Sequence, residues 1–241
     1  MIVPALSARD GYRLWASHYA EETAVSALED AEVRALAVPV EGRRLLDVGC
    51  GVGRRLSQSG ASIAVGVDLV PEMLVRAAGG RWAMGDGRRA TSDANTEITC
   101  AAADVRSLPF DDASFDVLWC RLVLGHVRDV GAAYRELGRV CANGGVLIVS
   151  DLHTAAVTAG HRRTFRDEAG VLHELEHYAY ALDDHRQAAR GAALELDAHR
   201  VGVVGPVIQH FYIEAGREDA YTAQFGLPLV SVTSFAKSGV A

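Results

Sequence analysis

Leu45-Leu46-Asp47-Val48-Gly49-Cys50-Gly51-Val52-Gly53 organises everything around it in this chain. A short apolar run that ends in glycines reads as a strand whose backbone turns tightly where no Cβ blocks an approaching ligand. Outward from it the pattern repeats. Residues 62–67 form a second such run ending at Asp68, 98–103 a third ending at Asp104, 115–120 a fourth and 146–150 a fifth. Helical segments separate them: a short polar one after the glycines, one that opens on Pro71 and continues over 72–78, and an amphipathic one over 130–141 stopped by Asn143-Gly144-Gly145. Short strands alternating with helices predict βαβ units and a parallel sheet, an α/β fold.

The flanks are read by the same rules. Residues 12–37 carry apolar side chains at helical spacing and are closed by Pro39 and Gly42. Residues 79–97, rich in Gly, Arg, Asp and Thr, read as a loop-like insertion. Beyond 151 a hairpin-like turn lies between Phe165 and Val171, and 172–180 alternates as a strand. A helix capped by Asp183 or Asp184 runs to Arg190 and closes at Gly191, with further strands over 194–204 and 229–235. No linker interrupts the 241 residues, so one domain is expected.

Composition narrows the function. Acidic residues outnumber basic ones 31 to 24, for a net charge of −7. The basic residues are nearly all arginines in scattered pairs, Arg43-Arg44, Arg54-Arg55, Arg88-Arg89 and Arg162-Arg163. That is not the dense basic stripe of a nucleic-acid binder. No apolar run approaches the ~20 residues that span a bilayer, so no membrane partner is expected. The first ten residues lack a basic region followed by an apolar one. Cys50, Cys100, Cys120 and Cys141 stand at least 20 residues apart, giving neither a disulfide framework nor a zinc knuckle. The expectation is a cytoplasmic protein.

Asp68 follows Asp47 by 21 residues, the spacing of the acid that hydrogen-bonds ribose hydroxyls in nucleotide-binding α/β folds. A dinucleotide fingerprint would put its third glycine at the sixth position from Gly49, where this chain has Arg54, so an NAD-dependent oxidoreductase is disfavoured. A P-loop would need Gly-Lys-Ser/Thr, which does not follow the glycines.

The glycine loop is one of an ordered set of markers: Leu-Asp-Val-Gly-Cys-Gly-Val-Gly at 46–53, Val-Gly-Val-Asp at 65–68 and Pro-Glu-Met-Leu at 71–74. Asp104-Val105, Leu108-Pro109-Phe110, Ser114-Phe115-Asp116-Val117, Glu136-Leu137-Gly138-Arg139-Val140 and Asn143-Gly144-Gly145 complete it. Together with Gly11-Tyr12-Arg13-Leu14-Trp15-Ala16, they resemble the class I S-adenosylmethionine-dependent methyltransferases, in the small-molecule branch of the ubiquinone, menaquinone and biotin-pathway enzymes. The resemblance implies a Rossmann-like, doubly wound, seven-stranded sheet with helices on both faces and the last strand antiparallel. It divides the chain into an N-terminal helical cap (1–40), a cofactor-binding core (41–151) and an acceptor-pocket half (152–241).

It further implies S-adenosyl-L-methionine as cofactor, a small-molecule acceptor, and a monomer or homodimer. Gly49, Gly51 and Gly53 would pass under the methionine moiety, Asp68 would accept from the ribose, and Asp104 would meet the adenine amino group. Leu69, Met73 and Val105 would sandwich the adenine, and Tyr12 and Tyr19 would close over the cofactor. Asp47, Cys50 and Cys120 complete the expected cofactor set. Leu69 departs from the small or polar residue often found after that aspartate. The alternative reading is a non-catalytic cofactor-binding protein.

His173-Glu174-Leu175-Glu176-His177 matches the zinc-protease pattern, which needs both histidines on one helical face. In a strand, residues four apart stand about 13 Å from each other, too far to share one zinc. No metal site is expected. For an oxygen or nitrogen acceptor a base must take a proton, and His153, His126 and His177 are the candidates, in that order, since ligands bind beyond the carboxyl ends of parallel strands.

Overall fold

The computed structural model describes residues 5–19, 22–77, 90–91 and 97–239. Its first half alternates strand and helix. β1 (Arg44–Val48), β2 (Ile63–Asp68), the two-residue β3 (Ala90–Thr91), β4 (Glu97–Ala102), β5 (Phe115–Arg121) and β6 (Cys141–Leu152) are interleaved with α3 (Pro71–Ala77) and α4 (Val130–Val140). α1 (Ala8–Trp15) and α2 (Ala24–Ala35) precede them. α5 (Thr154–Thr158), a hairpin of β7 (Thr164–Arg166) and β8 (Leu172–Glu174), α6 (Leu182–Arg190), β9 (Leu194–Val203), α7 (Gln209–Glu214), α8 (Glu218–Gln224) and β10 (Pro228–Lys237) follow.

The main sheet has the order β3-β4-β2-β1-β5-β6-β10-β9. β4, β2, β1, β5 and β6 are mutually parallel, and β10 runs antiparallel between β6 and β9. Seven long strands with the last one reversed is the sheet the resemblance implies, with β3 added at its edge. Because the parallel strands are covered on both sides, alternate residues feed two cores. Leu46, Val48, Leu118, Leu147 and Val149 face Ala133, Tyr134 and Leu137 of α4 and Ala189 of α6. Leu45, Ala64, Val117, Trp119 and Ile148 face Val33 of α2 and Leu74 of α3.

Five expectations shift. The helix read over 12–37 is two helices. Thr23 starts α2 with a capping box, its Oγ1 accepting from Ser26 N at 3.1 Å while Ser26 Oγ accepts from Thr23 N at 2.9 Å. The strand expected over 172–180 is regular only for Leu172–Glu174, because its partner Thr164–Arg166 is three residues long. Helix α6 is capped at Ala181, with Asp184 accepting from its N–H at 2.7 Å, rather than by Asp183 or Asp184. Asn143-Gly144-Gly145 lies inside the bulged start of β6 rather than closing α4 as a separate stop. The short polar helix after the glycines is a 3-10 turn, Leu56–Gln58. Of the insertion expected at 79–97, residues 79–89 and 92–96 lie outside the described residues.

Candidate active site

The carboxyl ends of β1, β2, β4 and β5 open onto one cavity of about 440 Å³. Its floor is the glycine loop. Gly49 and Gly51 hold φ of +71° and +55°, where a side chain is strained. A Cβ on Gly49 would collide with Val123, and one on Gly51 would stand 3.3 Å from Tyr19 and 3.4 Å from Met73. Asp68, at the end of β2, fixes this loop: its carboxylate accepts from Gly51 N at 2.8 Å and from Val70 N at 2.9 Å. Burial raises the Asp68 pKa despite those two bonds. Beneath the loop, Asp47 is almost fully buried with neither carboxylate oxygen hydrogen-bonded, and burial pushes its pKa up to about 6.

One wall is a charged lattice. Glu29 of α2 is fully buried and accepts from Arg121 Nε at 2.7 Å, Arg121 Nη2 at 2.6 Å, Ser150 Oγ at 2.6 Å and Arg55 Nη2 at 3.2 Å. Asp30 also binds Arg121, and binds Arg55 Nε at 3.3 Å. One helical turn therefore ties the glycine loop (Arg55) to the tip of β5 (Arg121). The next residue, Leu122, takes φ +60°, a strained turn that lines the cavity.

The roof comes from both ends of the chain. Leu6 and Glu174–Glu176 exchange two backbone hydrogen bonds of 2.8 Å, which seats α1 on the β7–β8 hairpin. Four rings continue that contact as one stack: Tyr12 on Trp15 at 5.7 Å, Trp15 on Phe165 at 5.0 Å and Phe165 on His173 at 5.2 Å. Tyr12, Trp15 and Tyr19 face the cavity.

His126 lies under this roof. Its Nδ1 is 2.8 Å from Glu176 O, which can only accept, so Nδ1 carries the proton and Nε2 offers a lone pair. Tyr12 Oη donates to that Nε2 at 3.0 Å. Burial, then the positive Arg163, pushes the His126 pKa down to about 4, so the ring is neutral at pH 7. Burial also raises the Tyr12 phenol.

Of the residues expected around a cofactor, Tyr12, Tyr19, Gly49, Cys50, Gly51, Asp68, Leu69, Met73, Asp104 and Val105 line the cavity. Asp47, Gly53 and Cys120 do not; Cys120 is fully buried in the core facing α4. Asp104 is engaged by Arg106, through its backbone N at 2.9 Å and its guanidinium at 2.6 Å.

The three histidines separate. His126 lines the cavity. His153 caps α5, its Nδ1 accepting from Ala155 N at 3.0 Å, away from the lining. His177 donates Nε2 to Asp151 Oδ1 at 2.9 Å. That bond, the His177 ring itself and the positive field of Arg163 outweigh burial and hold Asp151 at about 2. His173 instead meets Asp167 at 2.7 Å, so the two histidines of the zinc-like pattern have different partners.

Sequence reasoning missed the Glu29–Arg121 lattice, Trp15 and Arg163. A charged pair on a helix reads as a solvated face, and only the length of β5 hints that Arg121 is buried.

Known proteins share this frame. Residues 46–149 match the methyltransferase domain family. The chain is 29% identical over 161 residues to a 27-O-demethylrifamycin SV methyltransferase of Amycolatopsis mediterranei, covering 64% of this chain and 54% of that protein. It is 38% identical over 117 residues to a demethylmenaquinone methyltransferase of Roseiflexus castenholzii, covering 47% and 44%. The chain thus spans about half the length of the curated relatives it matches. In fold it is similar to an S-adenosylmethionine-dependent methyltransferase structure from Mesorhizobium loti, with TM-score 0.64, 20% identity, and 89% and 100% of the two chains covered. Motif order, sheet topology and these likenesses agree: residues 46–149 are similar in sequence to methyltransferase domains, and the fold is that of an S-adenosylmethionine-dependent methyltransferase.

Proposed function

We propose that this chain transfers a methyl group from S-adenosylmethionine to a small organic acceptor held beneath the α1–hairpin roof. The carrying observation is the floor of the cavity. Gly49 and Gly51 hold positive φ, and Gly51 is pinned by a carboxylate at the next strand's end, a cradle that a Cβ would fill.

The residues fit the cofactor. Gly49, Gly51 and Gly53 form the turn beneath its methionine end, and Asp47, whose oxygens accept no hydrogen bond, supplies negative charge under a cationic ligand. Asp68 keeps lone pairs for the ribose hydroxyls beyond its two backbone bonds. Leu69, Met73 and Val105 supply apolar contact for the adenine, and Asp104 turns the lone pairs that Arg106 leaves toward the amino group. Cys50 lines the cavity wall, whereas the buried position of Cys120 gives it no contact. The bound sulfonium supplies the electrophilic methyl group.

The chain's own tasks are alignment and proton removal. His126 is the base this geometry favours, since it lines the cavity whereas His153 and His177 do not. A proton leaving the acceptor passes to His126 Nε2, either directly or through the Tyr12 hydroxyl that donates to it. Glu176 O holds the ring in the required tautomer.

Two measurements test the reading. Calorimetry should detect S-adenosylhomocysteine and not NAD, and methyl-labelled cofactor should label a small molecule from cell extract. Binding of NAD alone would overturn it, and cofactor binding without any transfer would leave only a binding protein.

A further inference from the structure

Six arginines line the cavity, and five are accounted for. Arg54 pairs with Glu22 and Asp30 at 3.6 Å, Arg55 and Arg121 with Glu29, and Arg106 with Asp104, while Arg128 is exposed to water. Arg163 is different. Its Nε is fully buried with no acceptor, it forms no ion pair with any described carboxylate, and its one side-chain hydrogen bond among the described residues runs from Nη2 to Leu122 O at a long 3.4 Å. The nearby acid of the roof, Asp151, is already used by His177, Leu152 N and Gly125 N.

A guanidinium held this way is costly, because burial removes water from its Nε while the nearby carboxylates Asp151 and Glu29 act only through their field and accept no hydrogen bond from it. The cost falls when an anion enters, and a planar fork of N–H donors matches a carboxylate bidentately. Position says which anion. Arg163 is anchored by its own carbonyl, which accepts from Leu175 N at 2.8 Å, and it reaches toward Leu122 on the roof side of the cavity. The glycine-loop side has its own cation, Arg54, whose ion pairs at 3.6 Å are the loosest in the cavity. Tyr12 and Trp15 of the roof line the cavity and offer apolar surface for the body of a ligand.

We propose that Arg163 is the anion anchor of the acceptor pocket, and that the acceptor is a small molecule bearing a carboxylate, seated against Tyr12 and Trp15. This rests on the methyltransferase reading of the same cavity. The anchor orients the acceptor so that its nucleophilic atom lies by Tyr12 and His126, and it selects against neutral analogues.

The test uses protein saturated with S-adenosylhomocysteine and a panel of small aromatic and aliphatic carboxylic acids, each paired with its primary amide. Binding is followed by tryptophan fluorescence. At least one acid should bind wild type tenfold or more tightly than its amide. In Arg163→Gln that preference should vanish, and in Arg163→Lys part of it should return. The affinity for S-adenosylhomocysteine should change by less than twofold in both variants. Two outcomes overturn the proposal: no acid preferred over its amide by wild type, or a preference that survives Arg163→Gln. A third also does so: Arg163→Gln weakening S-adenosylhomocysteine tenfold while adenosine binds as before. That result would give Arg163 to the cofactor's own carboxylate and leave the methyltransferase reading standing. Failure of wild type to bind S-adenosylhomocysteine at all would instead refute that reading.

Discussion

Replacing Glu29 by alanine should unlock the wall of the cavity and destabilise the whole protein. Glu29 is fully buried, and the Arg121 side chain it holds is only 4% exposed. Removing one partner of a buried ion pair strands the other charge, which costs about 3–5 kcal/mol. Asp30 still contacts both Arg121 and Arg55, so the lower end, about 3 kcal/mol, is expected. For a chain of this length each kcal/mol shifts Tm by about 2–4 °C, so the midpoint should fall by roughly 6–12 °C. Urea unfolding at pH 7 measures the difference, and added salt should change it little, because the pair is shielded from mobile ions. A double variant, Glu29→Leu with Arg121→Met, replaces the pair with apolar volume and should recover most of the loss. The reasoning fails if Glu29→Ala stays within 1 kcal/mol of wild type, or if the double variant is no more stable than the single one.

Asp68→Ala removes the acceptor of two loop amides and of the proposed ribose contact, each charge-assisted bond being worth about 1.5–3 kcal/mol. S-adenosylhomocysteine should bind at least tenfold more weakly in calorimetry, and unchanged affinity would take Asp68 out of the site. Gly49→Ala forces an L-residue to φ +71° against Val123. The left-handed conformation alone costs about 1–2 kcal/mol, so a melt showing wild-type stability would contradict the loop geometry. His126→Gln should lower turnover by roughly 10²–10⁴ with cofactor affinity intact, the usual contribution of a general base. In wild type the acid limb of kcat/KM should fall near pH 4, where burial and Arg163 place this ring, and a limb near 6.5 would assign the base elsewhere. The same group affects stability. A histidine with lowered pKa takes its proton first in the unfolded chain, so stability should decline as pH drops from about 6.5 toward 4. His126→Gln should flatten that decline.

The parallel strands were legible because they are buried on both faces and so read as unbroken apolar runs. The glycine loop announced itself because positive φ and close approach leave glycine little competition. The break between α1 and α2 was not legible, since Thr23 pairs with Ser26 where a capping box usually shows Glu or Gln. Alternation over 172–180 suggested a full strand, but ladder length is set by the partner, and Thr164–Arg166 supplies only three residues. His153 ranked first among the bases on its position after β6. Position along the chain does not record that its Nδ1 turns back to cap α5.

The residues that distinguish this site come from parts of the chain that no local pattern connects. Tyr12 lies on α1, His126 beyond β5, and Arg163 and Glu176 flank the hairpin, yet one backbone exchange between Leu6 and Glu174–Glu176 brings them under the same roof. Gly11 permits this: a Cβ there would collide with Leu175 and lift α1 from the hairpin. Glu176 O then orients His126, and His126 receives Tyr12 from the helix that the exchange has seated. The tautomer of the proposed base, the position of its phenol partner and the closure of the cavity therefore depend on one interface. Opening the roof would remove all three together, so on the proposed function entry of an acceptor and readiness of the base would be coupled by the fold itself.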